Sequence, residues 1–344
     1  MKNINVGIIG AGLGLRCIFP KFRDIANVNI AGILASNYSH TLEIADRYKL
    51  SNACKSVEEM CAMPGIDLIC VASPTKYHFE QASYVIANNI HMLCEKPLCL
   101  NFGQTQRLID LFEGTEKLCL IDLELRFNPY FKKVKELIEC TLGRIYFIQV
   151  HFQSSLYRDD SIKNTWNLDG SMGGGIRLAI FPHLLDLLLF WLGDKQCISL
   201  KGFMSSLDAS NKTSDFCSAD LCFENDISVH LSASAVGFGD KAFSIIIMGE
   251  KGVATFDLDK KLLFNSDAVC VDIPDYYNES ESIFRSSFGC YARSIIDAIR
   301  NDKRNTSFTT GEEMLRLHRL LEDVQLSADS GREIVYRQAE KNLF

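Results

Sequence analysis

The chain has 344 residues, 47% of them apolar and 23% charged, with a formal net charge of −7. Those values suit a soluble globular protein of two ordinary domains, and the acidic balance leaves no electrostatic footprint for nucleic acid. Thirteen cysteines without a Cys-x-x-Cys pair suggest neither a disulfide framework nor a thiolate zinc site; buried thiols in a reducing compartment suffice. The most apolar stretch, Leu184–Leu192, is broken by Asp186 and too short for a bilayer, and a strand-like start leaves no room for a signal peptide. A cytoplasmic protein with no membrane partner is expected.

Asn5–Ile9 has the apolar character of a short buried strand, and Gly10-Ala11-Gly12-Leu13-Gly14 follows at once. Such glycines let the chain turn tightly and bring backbone N–H groups against a pyrophosphate at the next helix's N-terminus, making Gly10, Gly12, Leu13 and Gly14 candidate cofactor contacts. The spacing departs from G-x-G-x-x-G because the third glycine falls one place early; an ordinary tight turn is the competing reading. Leu13–Arg23 can be helical, bent or shortened by Pro20, and Val28–Ala35 completes a βαβ unit. At that strand's end a carboxylate would read the 2′-hydroxyl of NAD, whereas a 2′-phosphate wants a cation and no acid. Ser36-Asn37-Tyr38-Ser39-His40 contains neither acid nor arginine. The preference leans to NADP over NAD, with Ser36, Asn37 and His40 as phosphate partners. Asn37 and Ser39 fit equally well as turn or N-cap residues.

The alternation continues with a helix over His40–Tyr48 and a capping-box start at Ser56-Val57-Glu58-Glu59. Ile66–Ala72 is a near-continuous apolar strand, as a sheet covered on both faces requires. It ends in Ser73-Pro74-Thr75, ahead of His78 and a helix through Ala87; that loop suits a wall for a nicotinamide ring, or is a plain βα connection. His91–Leu98 is an apolar run ending in Glu95-Lys96-Pro97. It reads either as a strand presenting a lysine where ligands bind in open parallel sheets or as a surface Lys-Pro turn. A helix over Phe102–Phe112 behind Asn101 and a strand over Leu118–Leu123 complete a doubly wound pattern.

Asn128-Pro129 is a capping side chain with proline at the first helical position, starting a helix to Cys140, and a strand follows over Ile145–Phe152. Tyr157, Arg158, Asn164 and Trp166 can line a ligand site through hydrogen bonds and stacking or belong to a solvated loop. Gly173-Gly174-Gly175 turns the chain towards a helix carrying His183. Five strands follow (Ile198–Met204, Ser214–Phe223, Ile227–Ala235, Ala242–Gly249 and Gly252–Asp257), separated by turns that suit antiparallel pairing. A large sheet with one exposed apolar face is expected to form a homodimer or homotetramer through that face. Phe288–Arg300 and Gly311–Ala328 close the chain as helices. No repeat and no metal-ligand cluster is present.

Four features in order resemble the Gfo/Idh/MocA family of glucose–fructose oxidoreductase and inositol dehydrogenase: Val6-Gly-Ile-Ile-Gly-Ala-Gly-Leu-Gly14, Ala72-Ser-Pro-Thr75 with His78, Cys94-Glu-Lys-Pro97, and Arg126-Phe-Asn-Pro129. The resemblance implies an α/β chain with two domains. Residues 1–123 would form a Rossmann domain binding NAD(P). Residues 124–344 would form an α+β domain with a large open, mostly antiparallel sheet, its closing helices able to pack back on the first domain. It implies substrates of the sugar, sugar-nucleotide or polyol type, with Lys96 contacting the substrate hydroxyl and nicotinamide ribose. Ser73, Pro74, Thr75, His78 and Glu95 would be further cofactor contacts, and Arg126, Tyr157, Trp166 and Arg177 substrate contacts. By itself a lone histidine heading an apolar helix is more often structural, but counted from Gly175, His183 holds the family's histidine place. Ala179 holds the place of the family's aspartate, and Phe181 stands where glycine is common.

The expected activity is hydride transfer between nicotinamide and a sugar-like alcohol or ketone. His183 would be the general acid/base and Lys96 would polarise the substrate oxygen; in the reverse assignment Lys96 carries the proton. The competing class is a dinucleotide-binding sensor that has lost catalysis, for which Ala179 is the argument.

Overall fold

The computed structural model describes residues 2–160, 162, 165–209, 211–237, 241–259 and 261–336. They form two compact units, Met1–Phe127 with Asp275–Gly311, and Asn128–Pro274 with Glu312–Phe344. The first unit thus exceeds the expected 1–123: the chain returns to it after residue 274. Of the two closing helices, the first belongs to this unit and all but the first residue of the second to the other.

In the first unit, β1 (Ile4–Ile9), β2 (Val28–Leu34), β3 (Asn52–Ala53), β4 (Leu68–Val71), β5 (His91–Cys94) and β6 (Cys119–Ile121) pair in the order β3-β2-β1-β4-β5-β6, with every pairing parallel. This is the doubly wound dinucleotide-binding order, which reverses direction beside the first strand. Both faces are covered, so β4 and the last three residues of β5 are buried throughout. The connecting helices begin where capping chemistry predicts. Asn37 Oδ1 accepts from His40 N at 2.9 Å ahead of α2 (Tyr38–Tyr48). Ser56 Oγ accepts from Glu59 N ahead of α3 (Val57–Cys61), and Asn101 Oδ1 from Gln104 N ahead of α5 (Phe102–Glu113). Between β1 and β2 the helix differs from expectation. Residues Gly14–Ile18 form a π turn, and only Phe19–Arg23, with Pro20 in its first turn, is α-helical (α1). Helix α4 spans His78–Ala87. The returning helix, Ile283–Asn301 (α9 in chain order), sets Tyr291 Oη to donate to the Ile121 carbonyl at 2.7 Å, and stacks the Tyr291 ring on Phe127 with centroids 4.5 Å apart.

In the second unit Asn128 caps α6 (Pro129–Cys140), its Oδ1 accepting from Tyr130 N. The strands are β7 (Ile145–Gln153), β8 (Cys197–Ser205), β9 (Phe216–Phe223), β10 (Ile227–Ser234), β11 (Ala242–Gly249), β12 (Gly252–Phe256), β13 (Leu262–Phe264), β14 (Asp267–Ala268) and β15 (Ile334–Val335). They form one nine-stranded sheet ordered β14-β13-β12-β11-β7-β10-β9-β8-β15, antiparallel except where β10 runs parallel to β7. One face is apolar and buried, including Ile148, Val150, Leu221, Val229, Leu231, Ile245 and Ile247. Helix α7 (Ile176–Ala179) leads into α8 (Phe181–Leu192), every residue of which is buried; α10 is Gly311–Ser330. Phe131 anchors α6 in an aromatic cluster with Trp191, Phe243 and Phe256, and Trp191 Nε1 donates to the Phe131 carbonyl. On the other face Ser232 hydrogen-bonds His151 and Asp220 pairs with His230, while Phe203 and Met248 are exposed. Among the described residues no single helix is long and apolar enough to cross a membrane.

Candidate functional site

The candidate cofactor residues lie at the carboxyl edge of the parallel sheet because its hydrogen-bond ladder runs on past the strand ends. Gly10 N donates to Leu34 O, Ala72 N to Ile9 O, Glu95 N to Val71 O and Asp122 N to Cys94 O, all at 2.7–2.8 Å. Four loops are thereby fixed side by side: the glycine turn, the start of 36–40, Ser73–Thr75 and Glu95–Pro97.

The three glycines do three different things. Gly10 has φ +106°, and a Cβ there would sit 2.2 Å from the Ala72 carbonyl oxygen. A Cβ at Gly14 would press within 2.8 Å of Ile8 on β1, so that glycine permits close packing of the turn on the strand. Around Gly12 nothing lies within 4 Å of the same position. Its missing side chain serves no packing need of the fold and leaves the backbone open to a ligand. These are the turn, approach and packing roles of a dinucleotide-binding loop, so the residues present fit a pyrophosphate.

Around this turn several candidates hold the site's walls. Thr75 is buried, and Ser73 Oγ donates to Gln81 Oε1 at 2.6 Å; Pro74 precedes a short 3-10 turn. His78 is 1% exposed, with Nδ1 3.0 Å from the Pro97 carbonyl and Nε2 2.8 Å from that of Ser73. It clasps the Ser73 and Pro97 loops to each other instead of facing a cofactor as expected, because both ring nitrogens are taken by backbone. Burial holds its pKa below the usual histidine value, although the two carbonyls pull the other way. Asn37, whose Oδ1 caps α2, takes the N-cap role of its two readings. Ser36 and His40 are exposed beside it. Arg126 is buried in the same unit, 2% exposed.

Beside Lys96, beyond the ends of β5 and β6, stands a chain of three buried carboxyls. Asp122 is hydrogen-bonded through its side chain to Glu95 and to Glu124, and none of the three is more than 6% exposed. Two carboxyls share a hydrogen bond only if one keeps its proton. Burial raises Glu95 despite the Lys96 ammonium. Burial and the charges of Glu124 and Glu95 lift Asp122 well above the carboxylate range, and burial pushes Glu124 up to about 8. The sequence contains a signal, two acids inside Ile121-Asp122-Leu123-Glu124-Leu125, but strand periodicity hides it.

In the second unit the glycine run is tightly threaded. A Cβ on Gly174 would lie 2.5 Å from the Trp166 and Asn167 carbonyl oxygens, and one on Gly175 (φ +101°) 2.3 Å from Thr213 Oγ1. That threading fixes the start of α7. Arg177 Nη1 donates to the Leu321 carbonyl at 3.1 Å, which ties α7 to α10, and burial lowers its pKa. Tyr157 is buried, its amide donating to Ala235 O, while Trp166 is half-buried in a short 3-10 turn. Arg158 Nε donates to Val236 O; Asn164 lies outside the described residues. His183 sits buried in the first turn of α8, and Asp186, one turn on, is also buried. Ala179 ends α7. No group of three or more His, Cys, Asp or Glu side chains among the described residues is arranged to hold a metal ion.

The parallel sheet in dinucleotide order, with an open Gly12 at its switch point, defines a dinucleotide-binding protein of Rossmann type. Residues 4–123 match the oxidoreductase family model with an NAD-binding Rossmann fold, and residues 131–255 match the GFO/IDH/MocA C-terminal domain. The chain belongs to the Gfo/Idh/MocA oxidoreductase family. Among its relatives, an uncharacterized oxidoreductase of Synechocystis sp. is 25% identical over 73% of this chain and 70% of its own length. The scyllo-inositol 2-dehydrogenase (NADP(+)) IolU of Bacillus subtilis is 22% identical over 54% of this chain, a match spanning 58% of the relative. Levoglucosan dehydrogenase in complex with NADH and L-sorbose has the same fold, with TM-score 0.83 at 17% identity over 98% of this chain and all of the other.

Proposed function

We propose that the protein is an NAD(P)-dependent oxidoreductase acting on a CH–OH group, or the corresponding ketone, of a sugar, sugar nucleotide or polyol. The observation that carries this reading is the placement of Lys96 on the same ladder-linked edge as the open Gly12 turn. Gly10, Gly12, Leu13 and Gly14 would hold the pyrophosphate, and the Ser73–Thr75 loop would wall the ring. When bound, the nicotinamide accepts or delivers the hydride. Lys96 polarises the substrate oxygen and stabilises negative charge that develops there. His183 takes the hydroxyl proton as the carbon's hydride leaves, and returns it in the reduction. Glu95, within the carboxyl chain, positions the strand end that carries Lys96. The scyllo-inositol dehydrogenase among the relatives supports the substrate class. The bare 36–40 stretch supports NADP over NAD. The outer face of the nine-stranded sheet, with Phe203 and Met248 exposed, would join copies into a homodimer or homotetramer.

Ala179 favours a second reading, a dinucleotide-binding sensor without turnover. The test is nicotinamide absorbance with a panel of sugars, inositols and keto-sugars, using the natural chain and Lys96→Ala. Turnover that falls at least a hundredfold in the variant, with dinucleotide affinity kept, supports the enzyme. Tight cofactor binding with no change on any compound supports the sensor.

A further inference from the structure

We infer that Lys55, on the loop after β3, supplies the cation for a 2′-phosphate and makes the site selective for NADP; this rests on the proposed cofactor reading. β3 is only two residues long, but its register with β2 is fixed: Gly32 pairs with Asn52, Ile33 with Ala53, and Cys54 N donates to Ile33 O at 2.9 Å. Lys55 is the next residue, just past that last bond to β2. The edge strand thus delivers a lysine to the end of β2, where the adenosine ribose is read in this fold.

Three features make that lysine more than a solvated surface charge. Its ammonium lies 5.0 Å from the centroid of the Tyr38 ring, a contact that limits its wandering. Among the described residues it forms no ion pair, whereas His40, across the same turn, faces Glu43 at 3.6 Å. Its own loop is pinned, since Lys55 N donates to Glu59 Oε2 at 2.7 Å. Residues 34–42 contain no carboxylate that could accept from a 2′-hydroxyl or repel a phosphate, the next acid being Glu43. With Asn37 Oδ1 committed to capping α2, the groups left to meet a 2′-phosphate are the Lys55 ammonium and the Ser36 hydroxyl, with His40 beside them.

The experiment is a fluorescence titration of the full chain with NADP+ and with NAD+, repeated for Lys55→Ala and Lys55→Arg. A charge-assisted contact of ordinary strength corresponds to about tenfold or more in affinity. The natural chain should therefore prefer NADP+. Lys55→Ala should lose about tenfold for NADP+ while leaving NAD+ within about twofold, and Lys55→Arg should keep most of the preference. Equal losses for both dinucleotides, an NADP+ affinity indifferent to Lys55, or a natural preference for NAD+ overturns the inference alone. Binding of neither dinucleotide to the natural chain overturns the cofactor reading beneath it.

Discussion

Gly12→Ala separates ligand approach from folding. At Gly12 a Cβ meets nothing within 4 Å and the backbone is not in the left-handed region, so the variant should fold at least as well as the parent. The lowered entropy of its unfolded chain adds about 0.4–1 kcal/mol. A methyl group facing the pyrophosphate would displace at least one charge-assisted backbone contact, or about ten- to a hundredfold in dinucleotide affinity. Gly10→Ala is the contrasting control. Positive φ costs roughly 1–2 kcal/mol for an alanine, and the overlap with the Ala72 carbonyl, 2.2 Å from the new carbon, adds about 1–3 kcal/mol of overpacking. Their sum, about 2–5 kcal/mol, corresponds to a melting temperature lower by the order of 10 °C. Calorimetry gives the stabilities and fluorescence titration the affinities. A Gly12→Ala chain that binds dinucleotide as the parent does would refute the assignment of this turn as a phosphate cradle; one that unfolds would refute the packing argument.

Two further groups of outcomes concern the buried carboxyls and the outer sheet face. Glu124 keeps its proton in the folded chain up to about pH 8 but loses it near its usual 4.5 when unfolded. Stability should therefore fall as pH rises through that window, by a few kcal/mol at most. Glu124→Gln should flatten this slope in urea titrations across pH; an unchanged slope contradicts the buried carboxyl chain. The natural chain should sediment as a dimer or tetramer, and Met248→Lys on the outer sheet face should shift it towards monomer. A monomeric natural chain would remove that interface.

The alternation of strands and helices, the three glycines and the caps at Ser56, Asn101 and Asn128 were legible in the sequence because each is a local signal. Other features were set by tertiary partners. β3 has two residues, too few for any period, and exists through its bonds to β2. The amphipathic stripe of α9 predicts a buried face but not that Phe288 and Tyr291 meet Phe22 and Phe127 of the first unit. The π turn over Gly14–Ile18 and the close approach of Gly14 to Ile8 are not encoded by glycine spacing alone. Asp122 and Glu124 follow the end of β6, and the meeting of Asp122 with Glu95 depends on the register of β5 with β6. Lys55 reached the end of β2 by the same route, through an edge strand invisible to periodicity.

The most direct test is deuteride transfer from reduced cofactor labelled at the nicotinamide carbon to a keto-sugar or keto-inositol, followed by mass spectrometry of the product. A single deuterium on the newly formed CH–OH carbon, lost with Lys96→Ala, is the result expected of this oxidoreductase. Tight cofactor binding with no deuterium reaching any substrate of this class would contradict it.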